Sequence, residues 1–135
     1  MCHKKVNILL IASVIAVFAL LFSALGVTAL AAENSGSCGE NLTWTFSAGT
    51  LTVSGSGDMQ NYNEVESAPW KDFSQKINTV ILSKDITSIG SFAFFNCTAI
   101  KAISIPDKVQ NIYEKAFYNC TSLRLVDISD NLTFI

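Results

Sequence analysis

The side chains able to do chemistry are few and badly placed for it. The sequence holds one histidine, His3, and four cysteines, Cys2, Cys38, Cys97 and Cys120. His3 lies in an apolar N-terminal segment, and beyond that segment there is no imidazole. That removes Ser–His and Cys–His catalysis and histidine-containing zinc sites from the rest of the chain. Cys38, Cys97 and Cys120 lack the close spacing of a thiolate metal site. The acidic residues are scattered, with no carboxylate pair to share acid and base roles. Ser54-Gly55-Ser56-Gly57-Asp58 has the composition of a phosphate cradle, but Met59-Gln60-Asn61-Tyr62 follows it. A phosphate loop needs a helix start with Lys and Ser/Thr there, so the run reads as a turn. No enzyme, metal or cofactor is expected.

The elements around these residues begin with an address. Lys4 and Lys5 precede an uncharged stretch from Val6 to Ala32 whose core, Ile8–Leu25, is rich in Leu, Ile, Val, Ala and Phe. It ends in Ala29-Leu30-Ala31, the small-x-small pattern cut by a signal peptidase. Residues 1–31 are read as a signal helix cleaved after Ala31. The segment is also long enough to span a bilayer, so left uncut it would be the one membrane contact. Cys2 lies before the apolar core, not after it, so it is no lipid-attachment site. Past Ala31 seven Lys/Arg face eleven Asp/Glu, a net charge of −4. Nucleic acid needs a basic stripe, and none is present. The expected location is secreted or cell-surface.

Residues 32–76 read as a cap. Leu42-Thr43-Trp44-Thr45-Phe46 and Thr50-Leu51-Thr52-Val53 alternate apolar and polar residues around Ser47-Ala48-Gly49. This predicts a β-hairpin with Leu42, Trp44, Phe46, Leu51 and Val53 inward. Ser54–Asp58 should end the second strand. Ala68-Pro69-Trp70-Lys71-Asp72-Phe73 looks like the start of a short helix, with Trp70 plugging the open end of whatever follows.

Residues 77–135 repeat. Ile89 returns as Ile112 and Ile135, 23 residues apart each time. Ala93-Phe94-Phe95-Asn96-Cys97-Thr98 returns as Ala116-Phe117-Tyr118-Asn119-Cys120-Thr121. A strand pattern recurs as Ile77/Val80/Leu82, Ile100/Ile103/Ile105 and Leu123/Val126/Ile128, followed by Ile86/Ile89, Val109/Ile112 and Leu132/Ile135. A fixed period of this size predicts a solenoid of short parallel strands, each unit burying its apolar face on its neighbours. The expected fold is therefore mainly β: a repeat solenoid behind a hairpin cap. The array stops mid-repeat at Ile135 and is expected to continue in a longer protein.

The Ile-x-x-x-Ala-Phe-x-x-Cys-Thr corners at Ile89–Ile100 and Ile112–Leu123, with Pro106 after a strand, resemble the BspA-like class of leucine-rich repeats. Cys38–Trp44, Gly49–Gly55 and Ala68–Trp70 are similar to the leader module that precedes such repeats in secreted bacterial proteins. The resemblance implies a leucine-rich-repeat fold and a surface protein that attaches to other proteins. The position after each strand holds Asp85, Lys108 and Asn131, so no regular asparagine ladder is expected there.

Cys97 and Cys120 share one repeat position, at strand spacing of about 4.8 Å, near the lower limit for a disulfide. Their recurrence favours a ladder of buried thiols acting as small hydrophobes. Asn96-Cys97-Thr98 and Asn119-Cys120-Thr121 are formal glycosylation sequons, but their recurrence points to a role in the turn.

Binding is expected along the concave strand face of the solenoid, at residues that alternate with the buried ones. One column is Thr79, Ala102 and Leu125, the next Ile81, Ser104 and Asp127, with Lys101 and Arg124 at the edge. This face carries mixed side chains, with no basic cluster or aromatic row. It suits a protein partner, of host or bacterial surface, better than a sugar. The reading is a secreted or surface-displayed, adhesin-type scaffold for protein binding. The alternative is a structural spacer whose functional domain lies beyond Ile135.

Overall fold

The structure is a computed structural model and describes residues 34–135. The signal helix and the cut after Ala31 lie outside the described residues. The described residues are mainly β, with eight strands and one 3₁₀ turn among them: β1 (Ser35–Gly39), β2 (Leu42–Ser47), β3 (Thr50–Asp58), the 3₁₀ turn Lys71–Phe73, β4 (Thr79–Leu82), β5 (Asp85–Ile89), β6 (Ala102–Ser104), β7 (Asn111–Ile112) and β8 (Leu125–Asp127). Among the described residues no helix is long and apolar enough to cross a membrane.

The β2–β3 hairpin forms where the alternation places it, pairing Trp44 with Val53 and Phe46 with Leu51. Its turn uses Ala48 and Gly49, both at positive φ (48° and 84°). That backbone matches the twist of the flanking strands. Leu42, Trp44, Leu51 and Val53 are buried and Phe46 is half-buried.

Two features differ from expectation. First, Ser54–Asp58 does not end the strand, because β3 runs through it. Gly55 (φ 111°) and Gly57 (φ 99°) let the strand bend without breaking. A Cβ on Gly55 would lie 2.0 Å from the Asn41 carbonyl oxygen, so only glycine passes there. The bend lets one strand serve two neighbours. Thr50–Val53 pairs in parallel with β4, and Ser56–Asp58 pairs in parallel with β5. The cap thus supplies a first turn of the stack in its own backbone. Second, the polar run at Ser35 forms β1, antiparallel to β2. Gly36 makes this possible by lying over the Trp44 indole, 3.0 Å from Nε1 to an added Cβ.

The repeats stack in two strand columns and one column of corners. β6 and β8 pair in parallel, Ala102 with Leu125, Ile103 with Val126 and Ser104 with Asp127, each 23 residues apart. β4 packs beside β6. The second apolar pair of each repeat forms a further column, β5 with β7 and then an Asn111–Phe134 bridge. The Ala-Phe-x-x-Cys corners are successive tight turns. Phe95 N–H donates to the Phe92 carbonyl and Cys97 N–H to that of Phe94, with the same pattern at Tyr118 and Cys120. Phe92 and Lys115 (φ 55° and 56°) and Asn96 and Asn119 (φ 62° and 60°) sit in the left-handed region. Those reversals stop each corner from growing into a helix.

Corners of adjacent units are bonded through their backbones. Phe92 N–H donates to Glu114 O (3.2 Å), Phe94 N–H to Ala116 O (2.7 Å) and Asn96 N–H to Tyr118 O (2.9 Å). The first corner has no earlier repeat to supply such donors, and the cap supplies them. Tyr62 N–H donates to Ser91 O (2.9 Å), the equivalent of Glu114 O. The Trp70 indole Nε1–H donates to Ala93 O (2.8 Å), the equivalent of Ala116 O. The Trp70 ring also stacks on Phe94 at 5.9 Å, as Phe117 does from the other side at 5.2 Å. Trp70 therefore plugs the stack and substitutes for a missing backbone donor. The short helix expected here is one 3₁₀ turn, since the chain must reach buried Ile77 three residues after Ser74.

On the outer side of the last unit the same positions change environment. Ile112 is 5% exposed, while its repeat-equivalent Ile135 is 79% exposed.

Candidate functional site

The outward positions of β4, β6 and β8 follow from strand alternation. Val80, Leu82, Ile103 and Ile105 turn toward the core, so their neighbours must turn away. Thr79, Ile81, Lys101, Ala102, Ser104, Arg124, Leu125 and Asp127 are all exposed. The ladder brings Ala102 beside Leu125 and Ser104 beside Asp127. Ser104 Oγ–H donates to Asp127 Oδ2 (3.2 Å), and Arg124 N–H donates to Lys101 O (2.9 Å). Ile81 and Leu125 are 52% and 63% exposed. They give this face most of its apolar surface.

The face is wider than the repeats alone. Through the parallel register of β3 with β4, Thr79 sits beside Thr50 and Ile81 beside Thr52. The hairpin continues these rows to Ser47 and Thr45. Sequence reasoning missed this extension. The Thr-x-Thr pattern of both hairpin strands did announce an outward polar face. Its continuity with the repeats depends on a long-range pairing that no local signal reports.

At one end of the strands lies an open trough of about 630 Å³. It is lined by Ile81, Leu82, Pro106 and Ile128 together with Lys84, Lys108 and Asp127. Both lysines are engaged by Asp85, at 2.9 Å and 2.6 Å. The Lys108 hydrogen bond, followed by that of Lys84, holds the Asp85 carboxyl below its ordinary value. Thus the position after the strand carries an ion-pair rung, Asp85 to Lys108, in place of an asparagine ladder. Asn131 continues it by donating to Asp107 O (3.1 Å).

An amide ladder does occur, at the corners, where Asn119 Nδ2–H donates to Asn96 Oδ1 (2.8 Å). The two recurring sequon asparagines therefore hold left-handed turns and bond to each other. An aromatic row also exists here, away from the strand face. Phe95 and Tyr118 stack at 5.3 Å with 11° between planes, and the Lys115 ammonium lies 5.2 Å from the Phe92 ring. One face of Tyr118 is used against Phe95, and the ring is 57% exposed.

Cys97 and Cys120 are free thiols, as is Cys38. Cys120 Sγ–H donates to Phe94 O (3.1 Å). Burial pushes the Cys97 thiol up to about 12 and those of Cys38 and Cys120 to about 11. Thiols so disfavoured as thiolates pack as small hydrophobes and make poor nucleophiles or ligands. Among the described residues no group of three or more His, Cys, Asp or Glu converges.

Comparison with known proteins agrees with this geometry. A family model described as a BspA type leucine-rich repeat region (6 copies) matches residues 63–135. The crystal structure of a leucine-rich repeat protein from Eubacterium ventriosum is similar, with a TM-score of 0.68 and 25% identity. The match covers 74% of this chain and 27% of that one, so this chain spans about a quarter of that protein's length. No curated protein matches the chain.

Proposed function

The chain belongs to the BspA-type leucine-rich repeat family, and on that premise we propose that it is a protein-binding scaffold displayed outside the cell. The observation that carries this reading is the division of labour along the repeat. The apolar residues that recur unchanged at the 23-residue period, such as Ile89/Ile112, Ala93/Ala116 and Phe94/Phe117, face inward. Residues that do not recur, Thr79/Ala102/Leu125 and Ile81/Ser104/Asp127, are all exposed on one face. Scaffold and surface are thus separately specified, and an apolar pair on an otherwise polar face gives a partner something to bury. The role is adhesin-type attachment to a host or bacterial surface protein, with residues 1–31 as the export signal, 32–76 as the cap and 77–135 as repeats. Further units stacking on Val126, Ile128 and Ile135 would extend the array as a solenoid, because those residues occupy positions buried in the preceding unit.

The test is immobilised protein against extracts of host and bacterial surface proteins, beside a variant carrying Ile81→Asp, Ala102→Asp and Leu125→Asp. A partner retained by the parent and lost by the variant, with unchanged circular dichroism, supports the reading. A partner retained equally by both places binding elsewhere and removes the strand face from the account.

A further inference from the structure

We infer that the strand face is divided by an open seam between β4 and β6, a boundary at which the two halves of the candidate site open and close against each other. The inference rests on the scaffold reading and adds how its surface adjusts to a partner.

β4 belongs to the sheet of the cap through its pairing with β3, whereas β6 and β8 form a two-stranded sheet of their own. β4 and β6 lie side by side without a ladder between them. The bonds that open each strand pairing show the break. Asn78 and Thr79 N–H both donate to Gly49 O where β4 meets β3. Arg124 and Leu125 N–H both donate to Lys101 O where β8 meets β6. Lys101 and Ala102 hold the same repeat positions at the start of β6, and among the described residues neither N–H donates to Asn78 O. The far end of the seam has a chemical reason. Ser83 N–H, just past β4, donates to Val53 O (2.9 Å) and closes the pairing of β4 with β3. Pro106 stands at that repeat position just past β6 and has no N–H to give. The closing bond from β6 back to Leu82 O is therefore excluded by the residue itself.

The same two units are joined elsewhere. β5 pairs with β7, Phe94 N–H donates across the corners to Ala116 O, and Lys108 meets Asp85. Units bonded along those columns and unbonded along the strand face open about the bonded columns, and exposed backbone of this kind belongs to the low-stability end of a fold. The candidate residues fall on both sides of the seam. Thr79 and Ile81 ride with the cap, and Ala102, Ser104, Leu125 and Asp127 ride with the second sheet. No backbone ladder sets the separation of the apolar pair, Ile81 and Leu125. A partner that spans both fixes it on binding.

Backbone alternation supplies the controls for a test. Thr79 and Ser83 N–H face β3, so Ile81 N–H does too, and those of Val80 and Leu82 face the seam. Lys101 O and Ile105 N–H face β8, so Ile103 N–H does too, and those of Ala102 and Ser104 face the seam. Hydrogen exchange of the purified protein, read residue by residue in ¹H–¹⁵N spectra, compares the two sets. The four seam amides should exchange about tenfold or more faster than those of Ile81 and Ile103. Pro106→Ser restores the residue that the repeat carries at Ser83 and Ser129. It should slow the seam amides about tenfold and leave Ile81 and Ile103 unchanged. Equal rates for all six amides overturn the proposal, because they mark either a closed ladder or a sheet that opens as a whole. Seam amides that stay fast in Pro106→Ser also overturn it, because the missing donor is then not what keeps the strands unpaired. Neither result bears on the scaffold reading, which is decided by partner retention on its own three-aspartate variant.

Discussion

Replacing Trp70 with phenylalanine separates the two things this residue does. The smaller ring still reaches the Phe94 column, but the indole N–H that donates to Ala93 O at 2.8 Å is gone. Ala93 is buried, so its carbonyl would be left without a partner. An unsatisfied buried acceptor costs about 1–3 kcal/mol. The lost ring volume adds about 1 kcal/mol. The chain carries its own control. Trp44 is also buried in the cap, yet its Nε1–H meets no acceptor among the described residues. Trp44→Phe therefore loses volume alone, about 1 kcal/mol. Urea unfolding followed by far-ultraviolet circular dichroism measures both variants without depending on tryptophan emission. The expected result is that Trp70→Phe is less stable than Trp44→Phe by about 1–3 kcal/mol. For a unit of this size the melting temperatures would differ by about 5 °C or more. Equal stabilities within about 0.5 kcal/mol would refute the claim that the indole replaces a repeat's backbone donor.

Other consequences are as direct. Asn119→Gly should be milder than Asn119→Ala by about 1 kcal/mol, because both lose the bond to Asn96 but only alanine is strained at φ 60°; urea midpoints of the two variants decide it. The buried thiols of Cys38 and Cys97, and the half-buried one of Cys120, should resist iodoacetamide in the native protein at pH 8 and react once it is unfolded, as counted by mass spectrometry. Since burial raises their folded values to about 11 or 12 from 9.0, they stabilise the fold fully below pH 9 and progressively less as pH rises toward 11. Urea midpoints should therefore fall across that window, and midpoints constant up to pH 11 would contradict the burial. The Asp85 carboxyl should titrate below the ordinary carboxylate value by nuclear magnetic resonance, and Lys108→Ala should return it toward that value. Its depressed value makes its contribution present above the ordinary carboxylate value and lost as pH falls below it.

Much of this architecture is legible in the residues because the repeat states it several times. The strand positions of Ile103 and Val126, the inward Phe94 and Phe117, and the thiol column all follow from one period applied to alternation. The hairpin is equally plain, since Leu42, Trp44, Leu51 and Val53 alternate around a turn. What stays hidden has no apolar signal or depends on distant pairing. β1 is polar and glycine-rich, and only Trp44 beneath Gly36 explains its place. β3 continues through Ser54–Asp58 because two glycines bend it, and that composition also describes a loop. The left-handed Phe92 and Lys115 were not foreseeable, since neither residue type favours that conformation. On the face, all eight candidate residues are exposed; alternation accounts for six of them, while Lys101 and Arg124 lie just before β6 and β8. The extension onto Thr50 and Thr52, and the ion pair that occupies Lys108, come from contacts 23 or more residues apart.

The account places function in the non-repeating outward residues, and a binding measurement on paired variants tests that most directly. The retained partner is titrated by surface plasmon resonance against the parent, against Ile81→Asp/Leu125→Asp on the strand face, and against Tyr118→Asp on the corner. Tyr118 is as exposed as either strand residue, so it controls for a charge placed on any apolar surface. The predicted result is a loss of about tenfold or more for the strand-face pair and parent-like affinity for Tyr118→Asp. Parent-like affinity for the strand-face pair, with binding lost in Tyr118→Asp, would contradict the account and move the site to the corner.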